Sequence, residues 1–395
     1  MTEGSEPPEV PQPPEMPGPP EAPGSEQAGE PAVLSDLLTT TCHACGSRIR
    51  FVAGTAMLRC EACRTERPVE IADEARITEH SFHGWLEQHA GPRVAEIAGT
   101  VVQCQACGAE SESRDIARAC TFCGGHLVVL DHPAGLVAPE AVVPFGLSDD
   151  QARTAFRGWV SSRWLAPNDL KKVGSTEGLT GTYVPYWTFD AHTTTDYLGK
   201  RGDYYYVTRT RTVSDGKGGT RTETYQERRT RWRNASGRVM RFFDDVLTIG
   251  SRRIEATKLE KMGPWRLEQA APYAPGFLAG YDALRYDVDP QDAAKAARST
   301  MESVIAQDVR RDIGGDEQRI TTMDVHFRDV MFKLVLLPLF IATYVYGGQR
   351  WQVLVNANTG EVVGDRPWSK VKIAALVLLA IAVVAGVVIA VQSSR

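Results

Sequence analysis

Lysine and arginine are missing from the start of this chain of 395 residues, in which the first basic residue is Arg48. The first 34 residues contain ten prolines and seven glutamates instead. A segment of this composition buries too little apolar surface to offset the chain entropy that is lost on folding. We therefore expect residues 1–34 to form a disordered, acidic tail that is rich in proline.

A secretory leader is also missing, because the N-terminus has no basic region followed by an apolar run. We expect the bulk of the chain to stay in a reducing compartment, where cysteines bind metals more often than they form disulfides. The formal net charge is −5, so the chain lacks the overall basic charge typical of nucleic-acid-binding proteins. Such binding would require a local basic patch.

Motifs of common enzyme classes are missing as well. The sequence contains no GxxxxGK[ST] phosphate loop, and no GxSxG, HExxH or GxGxxG motif occurs in a fitting context. Asp244 and Asp245 are adjacent on a predicted strand, which would point their side chains to opposite faces. This argues against a paired carboxylate site, and we expect a protein without catalytic residues.

Eight cysteines form two similar patterns, each with two CxxC pairs that are separated by 14 or 12 residues. Two intervening residues let both sulfurs of a pair turn toward one ion, and two pairs complete a tetrahedral zinc site. The predicted ligands are Cys42, Cys45, Cys60 and Cys63 in a first zinc ribbon (residues 35–72), and Cys104, Cys107, Cys120 and Cys123 in a second (residues 99–132). Four sulfurs leave no open coordination position, so we expect two structural Zn²⁺ ions.

An apolar run over residues 373–391 contains only Ile, Ala, Leu, Val and one Gly. As a helix it nearly spans the ~30 Å hydrocarbon core of a bilayer. Arg366, Lys370 and Lys372 precede the run and only Arg395 follows it, which favours a cytoplasmic N-terminal part. We therefore predict one transmembrane anchor at residues 369–392, and a single-pass protein on the cytoplasmic face of the cell membrane.

The remaining sequence predicts a helical connector at residues 73–98 and a mixed α+β domain at residues 133–368. The fold class is accordingly α+β, with two N-terminal zinc ribbons, antiparallel strands and one C-terminal transmembrane helix. Within the α+β domain we expect a helix capped by Ser148, a strand over 182–197 and a helix over 290–312. The apolar run over 334–346 contains Pro338, which predicts a pair of buried strands.

A basic stretch over residues 200–233 has ten Lys or Arg against four Asp or Glu, with four tyrosines among them. Residues 214–220 are suited to a turn, so we predict a long basic hairpin within the α+β domain. The candidate anion-binding residues are Arg209, Arg211, Arg228, Arg229, Arg231 and Arg233. They would bind lipid headgroups, which a membrane tether favours, or nucleic-acid phosphates. The alternative is a solvated hairpin.

Several short motifs accompany the cysteines and the anchor: Val184–Trp187, Gly280–Tyr281, Ile313–Asp316, Leu336–Leu339 and Val355–Gly360. With these motifs, residues 41–391 resemble a bacterial family of membrane-anchored proteins with TFIIB-type zinc ribbons. Its members are often labelled as primosomal protein N′ (replication factor Y) or as superfamily II helicase-like proteins. The resemblance implies a partner among the membrane-stress proteins of the phage-shock or SPFH type.

The closed zinc sites, the single anchor and the missing enzyme motifs favour a non-enzymatic membrane adaptor. Its zinc ribbons would present a rigid surface to a cytoplasmic protein partner, with the α+β domain as a spacer or second docking face, while residues 373–391 hold the protein in the lipid bilayer. The alternative is a membrane-tethered protein that binds nucleic acid through its ribbons and its basic hairpin. We favour the protein partner over nucleic acid.

Overall fold

The computed structural model describes residues 42–88, 101–104, 110–112, 120, 127–129, 137–167, 179–214, 219–346 and 349–393. The predicted tail (1–34) and residues 89–98 of the predicted connector lie outside the described residues.

The strands and helices of the described residues follow in chain order. The strands are β1 (Ile49–Val52), β2 (Met57–Cys60), β3 (Glu66–Pro68), β4 (His80–Ser81), β5 (Val101–Cys104), β6 (Glu110–Glu112), β7 (Leu127–Val129), β8 (Ala141–Val142), β9 (Thr180–Ser214), β10 (Thr220–Ile249), β11 (Ala271–Pro272), β12 (Asp282–Leu284), β13 (Glu317–Tyr346), β14 (Gln349–Asn356) and β15 (Val362–Gly364). The helices are α1 (Phe82–Gln88), α2 (Asp149–Ser161), α3 (Ala256–Glu260), α4 (Pro290–Ile313) and α5 (Lys370–Ser393), with two short 3₁₀ turns at Leu267–Gln269 and Pro275–Leu278.

Three very long antiparallel strands dominate the fold. The central strand, β9, pairs with β10 from Tyr186 to Ser214 and with β13 from Thr180 to Gly202. Because β13 begins at Glu317, opposite Gly202, the β9–β10 hairpin continues beyond it as a two-stranded ribbon. This ribbon, which we call the arm, comprises residues 203–214 and 220–231.

The surroundings of β9 change along its length. Its first half is buried on both faces, and the aromatic residues Tyr183, Trp187 and Phe189 are almost fully buried. From His192 onward the strand alternates between buried and exposed residues, as expected where only one face is covered. In the arm the side chains of both faces are mostly exposed. One strand therefore passes from the core to an open surface.

Helix α4 covers one face of the middle part of these strands. Its buried residues recur at every third or fourth position from Ala293 to Ile313, as one side of a helix requires. The Asp289 side chain caps its first turn by accepting a hydrogen bond from the backbone N–H of Gln291 (2.7 Å), and Gly314, with a positive φ of 64°, ends it. The predicted helix is thus confirmed.

Over Val371–Ser393, helix α5 is long and apolar enough to cross a membrane, in agreement with the predicted anchor. Its start is fastened to the chain that follows α2. The Lys372 ammonium donates hydrogen bonds to the carbonyls of Trp164 (3.0 Å) and Ala166 (2.8 Å). Helix α2 in turn packs on β14 and β15, at the end of the sheet opposite to the arm.

The expectation of two strands around Pro338 is wrong, because β13 runs without interruption from Glu317 to Tyr346. The carbonyl of Pro338 accepts a hydrogen bond from the Ala357 N–H, so its nitrogen faces the same side of the strand. On that side β8 pairs as far as Leu336 and β14 pairs only from Leu339 onward. The missing N–H of proline therefore falls between two partner strands.

Replacement of residues 205–229 by Asn-Gly should leave the rest of the fold intact, because their backbone pairs only within the arm. Tyr204 and Thr230, which are cross-strand partners, would then flank a turn that Asn-Gly favours. We expect the free energy of unfolding in detergent to change by less than about 1 kcal/mol.

The comparison variant is Met301→Ala, which truncates a side chain of α4 that is 2% exposed. It should lower the free energy of unfolding by about 2–4 kcal/mol. Denaturant unfolding followed by tryptophan fluorescence measures both variants. An equally large loss in the arm replacement would show that the arm supports the core.

Candidate metal centre, charge network and arm

The first group of four predicted zinc ligands converges on one point. The sulfurs of Cys42, Cys45, Cys60 and Cys63 all lie within 4.8 Å of one another, and the Cys42–Cys63 and Cys45–Cys60 sulfur pairs are each 3.5 Å apart. Four sulfurs at ~2.3 Å from a tetrahedral zinc ion would be separated by about 3.8 Å. The group therefore fits a Zn²⁺ ion.

Arg64 follows the last of these cysteines, and it adopts a left-handed conformation with a φ of 63°. Gly46, which follows Cys45, has a similar φ of 70°. The two knuckles thus turn in the same way, although only one has glycine at the turn. A left-handed conformation costs a non-glycine residue about 1–2 kcal/mol. Four metal–sulfur bonds would hold this turn in place.

The first ribbon is packed into the core of the α+β domain. Phe51 of β1 and Leu58 of β2 are each 2% exposed, and the Phe51 ring meets Phe277 with centroids 5.5 Å apart. The Phe51 N–H also donates to the carbonyl of Ala279 (2.9 Å). The hairpin face of this ribbon is therefore an internal surface.

Arg50 extends this contact to the Gly280–Tyr281 motif. Its guanidinium lies 5.3 Å from the centre of the Tyr281 ring and 2.9 Å from an Asp149 carboxylate oxygen. Gly280 has a φ of 86°, and a Cβ at this position would lie 2.4 Å from Arg50 Cγ. Glycine is needed here both for the conformation and for the close approach of Arg50.

The second ribbon is described only in part. Cys104 and Cys120 are buried, whereas Cys107 and Cys123 lie outside the described residues. Strand β5 pairs with β6 on one side and with β7 on the other, and β6 pairs with β12 of the α+β domain. The described part of this ribbon is thus joined to the large sheet, and the second zinc site stays a prediction.

Cys63→Ser should reduce the zinc content by one ion per chain, because it removes one of the four sulfurs. Cys63 is exposed, so the change alters metal binding more than packing. The matched control is His43→Ala, since His43 is exposed in the other knuckle of the same site and lies outside the four-sulfur group. Mass spectrometry of bound metals measures both variants. An unchanged zinc content in Cys63→Ser would rule out the assignment.

A network of charges around a buried lysine, which the sequence did not predict, joins four segments of the chain. The Lys333 ammonium lies 2.7 Å from a Glu79 oxygen and 2.6 Å from an Asp245 oxygen. The Asp245 N–H donates to Asp190 (2.6 Å), and the three carboxylates lie within 4.8 Å of one another. Lys333 and Asp190 are 7% and 5% exposed. Since Lys333 supplies the cation, this group forms an ion-pair network.

A bulge in β10 brings Asp245 into the network. The pairing with β9 shifts between Phe243 and Val246, and Asp245 has a positive φ of 51°. Asp244 and Asp245 therefore lie in a bulge and not on a regular strand, but their side chains still have different surroundings. Asp244 is exposed, whereas Asp245 reaches Lys333 across β9.

The network shifts the pKa values of its acids in opposite directions. Burial, reinforced by the neighbouring Glu79, raises the pKa of Asp190 to about 7. Burial also opposes ionisation of Glu79, but hydrogen bonds with Asp190 and Lys333 outweigh it and lower the pKa of Glu79. At a pH well below 7, Asp190 therefore holds a proton while Glu79 is ionised.

Asp190→Asn should make stability less dependent on pH. In the native chain Asp190 has a pKa of about 7, against ~3.9 when unfolded, so the native state binds more protons between these values. The free energy of unfolding then falls as the pH rises through this interval. The variant stays neutral and should be more stable at pH 8 by on the order of 4 kcal/mol.

Below about pH 4, where Asp190 is protonated in both the folded and the unfolded chain, the variant and the native chain should be about equally stable. Asp244→Asn, at the exposed neighbouring position, is the control and should keep the native pH dependence. Thermal unfolding at several pH values measures all three proteins. If Asp190→Asn kept the native slope, the proton would not be on Asp190.

The arm has two chemically different faces, because cross-strand partners share a face. The hydroxyl face carries a single charge and consists of Tyr204, Tyr206, Thr208, Thr210, Thr212, Ser214, Thr220, Thr222, Thr224, Gln226, Arg228 and Thr230. The ionic face consists of Asp203, Tyr205, Val207, Arg209, Arg211, Val213, Arg221, Glu223, Tyr225, Glu227, Arg229 and Arg231. It has five arginines and three carboxylates.

The predicted anion-binding arginines are all on or beside the arm, but most have partners there. Arg209 and Arg229 share Glu227, Arg211 pairs with Glu223, and Arg233 pairs with Asp203. Arg228 and Arg231 lie over the rings of Tyr204 (4.3 Å) and Tyr205 (5.2 Å) instead. The arm therefore combines basic and aromatic groups, and anion binding by it stays a prediction.

Comparisons with known proteins place few limits on function. No protein-family model matches the chain, and no solved structure matches it. The chain is similar to a protein of Bacillus subtilis (strain 168) that is called uncharacterized protein YdjG. The two are 25% identical over 260 residues, which cover 64% of this chain and 70% of that protein. The function of this chain is therefore inferred from its own sites.

Proposed function

We propose that this chain is a non-enzymatic adaptor that docks a cytoplasmic protein partner at the membrane. The observation that carries the proposal is the arm, which projects beyond the other strands of the sheet and is exposed on both faces. A long exposed ribbon with tyrosines and arginines has the side chains that are enriched at protein interfaces. The family resemblance favours a membrane-stress protein of the phage-shock or SPFH type as the partner.

The zinc ribbons have a structural role in this proposal. The hairpin face of the first ribbon is covered by Phe277 and its neighbours, and strand β6 of the second ribbon is paired with β12. A partner would therefore meet the arm more easily than these ribbon faces. The zinc ions would stabilise short strands that have little core of their own.

The distance between the arm and the anchor supports a soluble partner over lipid headgroups. The start of α5 is fastened near α2, at the end of the sheet that contains Thr182. From Thr182 to Gly202 the strand extends about 66 Å at ~3.3 Å per residue. The basic groups therefore lie far along the sheet from the point where the chain enters α5.

Nucleic acid is the second candidate partner, and the shape of the arm favours it. A two-stranded antiparallel ribbon fits the major groove of B-form DNA. However, Arg209, Arg211 and Arg229 already pair with carboxylates, which weakens their attraction for phosphates. Binding of this kind would fall steeply with salt and with Arg→Ala changes at Arg228, Arg229 and Arg231.

Co-purification from mildly solubilised membranes tests the proposal. The full chain should retain a specific protein partner, and the variant with Asn-Gly in place of residues 205–229 should lose it while still folding. Mass spectrometry and nucleic-acid quantification are applied to the same eluate.

The other outcomes of this experiment have separate meanings. Loss of the partner only in a Cys104→Ser/Cys107→Ser variant would move the docking surface to the second ribbon. Nucleic acid enriched without a protein partner would favour the second candidate. A partner that stays bound to the variant without the arm would contradict the role of the arm.

A further inference from the structure

The N-terminal segment contains a threefold repeat. Residues 7–24 read PPEVPQ, PPEMPG and PPEAPG, so a PPExP hexapeptide occurs three times in succession. Six residues are two turns of a polyproline II helix, and this spacing places Glu9, Glu15 and Glu21 on one side of it. We propose that this repeat docks on the ionic face of the arm within the same chain.

The ionic face has the chemistry that such a segment needs. Its five arginines exceed its three carboxylates, and the tail has seven glutamates and no basic residue in its first 34 positions. Arg221 and Arg231 form no ion pair within the described part of the chain. Glutamates of the repeat would supply carboxylates to these two guanidinium groups.

Aromatic rings on the same face suit the prolines of the repeat. Tyr205 and Tyr225 are 37% and 40% exposed, and their positions alternate with those of arginines. Proline-rich segments in the polyproline II conformation bind to surfaces lined by aromatic side chains. The hydroxyl face has tyrosines at its base but only one arginine, so it lacks the charge that the glutamates require.

The three glutamates of the repeat span the length of the arm. From Glu9 to Glu21 a polyproline II helix advances about 37 Å, at ~3.1 Å per residue. From Asp203 to Ser214 an extended strand advances about 36 Å, at ~3.3 Å per residue. All three glutamates of the repeat would therefore lie over the arm together.

The chain between the repeat and the first zinc ribbon is also long enough for the repeat to reach the arm. Residues 7–24 precede Cys42 by 18 to 35 positions, which is about 56–108 Å in the polyproline II conformation. Cys42 lies in the same core cluster as Tyr183, and the arm lies 20 to 31 positions further along β9, about 66–102 Å away. A tail that runs alongside β9 would thus place the repeat on the arm.

The docked tail would neutralise the excess positive charge of the ionic face. A partner that uses this face would have to displace the tail first. The inference does not depend on the identity of that partner, because the tail and the ionic face belong to the same chain.

Photo-crosslinking of the full chain in detergent tests the inference. A benzophenone amino acid replaces Tyr205 on the ionic face or, as the matched control, Tyr206 on the hydroxyl face. Trypsin releases the tail as one fragment, because Arg48 is the first basic residue. We expect crosslinks from position 205 to residues 7–24, and few or none from position 206.

A tail variant with Glu9→Gln, Glu15→Gln and Glu21→Gln should lose these crosslinks, and 1 M salt should abolish them in the native tail. Mixing with ¹⁵N-labelled chains without the probe distinguishes contacts within a chain from contacts between copies. Equal crosslinking from both positions, insensitivity to the glutamate changes, or crosslinks mainly to labelled chains would each overturn the inference.

Discussion

Continuous pairing of β9 with a strand on each side is the interaction on which the rest of the structure depends. Its backbone hydrogen bonds are satisfied by β10 along almost the whole strand, and by β13 as far as Gly202. Side chains along the same strands can therefore change in character without loss of backbone pairing. Aromatic residues build the core at one end, α4 covers one face in the middle, and threonines and arginines face water at the other end. Core and exposed surface thus belong to one structural element.

The four-cysteine group stabilises a zinc ribbon whose own strands are short. Strands β1 and β2 have four residues each, and strands this short have little stability without support. A zinc ion on four sulfurs would hold the knuckles, while Phe51 and Leu58 fill the core beside Phe277. The ribbon and the α+β domain therefore stabilise each other. Loss of the metal would therefore weaken the Phe51–Phe277 contact as well as the turns at the cysteines.

Local features of the fold were predictable from the sequence and distant ones were not. Cysteine spacing indicates the ligand group Cys42–Cys63, and Asp289 and Gly314 mark the ends of α4, because these effects act over a few residues. The length of the arm was harder to predict from the sequence, since its alternating threonines and arginines do not give the apolar face that marks the extent of a strand. The network of Glu79 and Lys333 joins residues 254 positions apart, and Asp245 contacts the same Lys333 from the bulge in β10. Only the assembled sheet brings these groups together.

The arm needs stabilising interactions of its own, because an isolated two-stranded ribbon is only marginally stable in water. Its base is fixed by the carboxylate of Asp316, which accepts a hydrogen bond from the Tyr204 N–H (2.7 Å), and by Glu317, which meets Thr230 (3.4 Å). Above the base, arginines bridge the strands by pairing with glutamates or by covering tyrosine rings. Charged residues along an edge also oppose pairing with other strands. The same arginines thus stabilise the arm, oppose pairing at its edges and give it an excess of positive charge. The residues that would bind a partner are therefore also the residues that keep the arm folded and exposed to solvent.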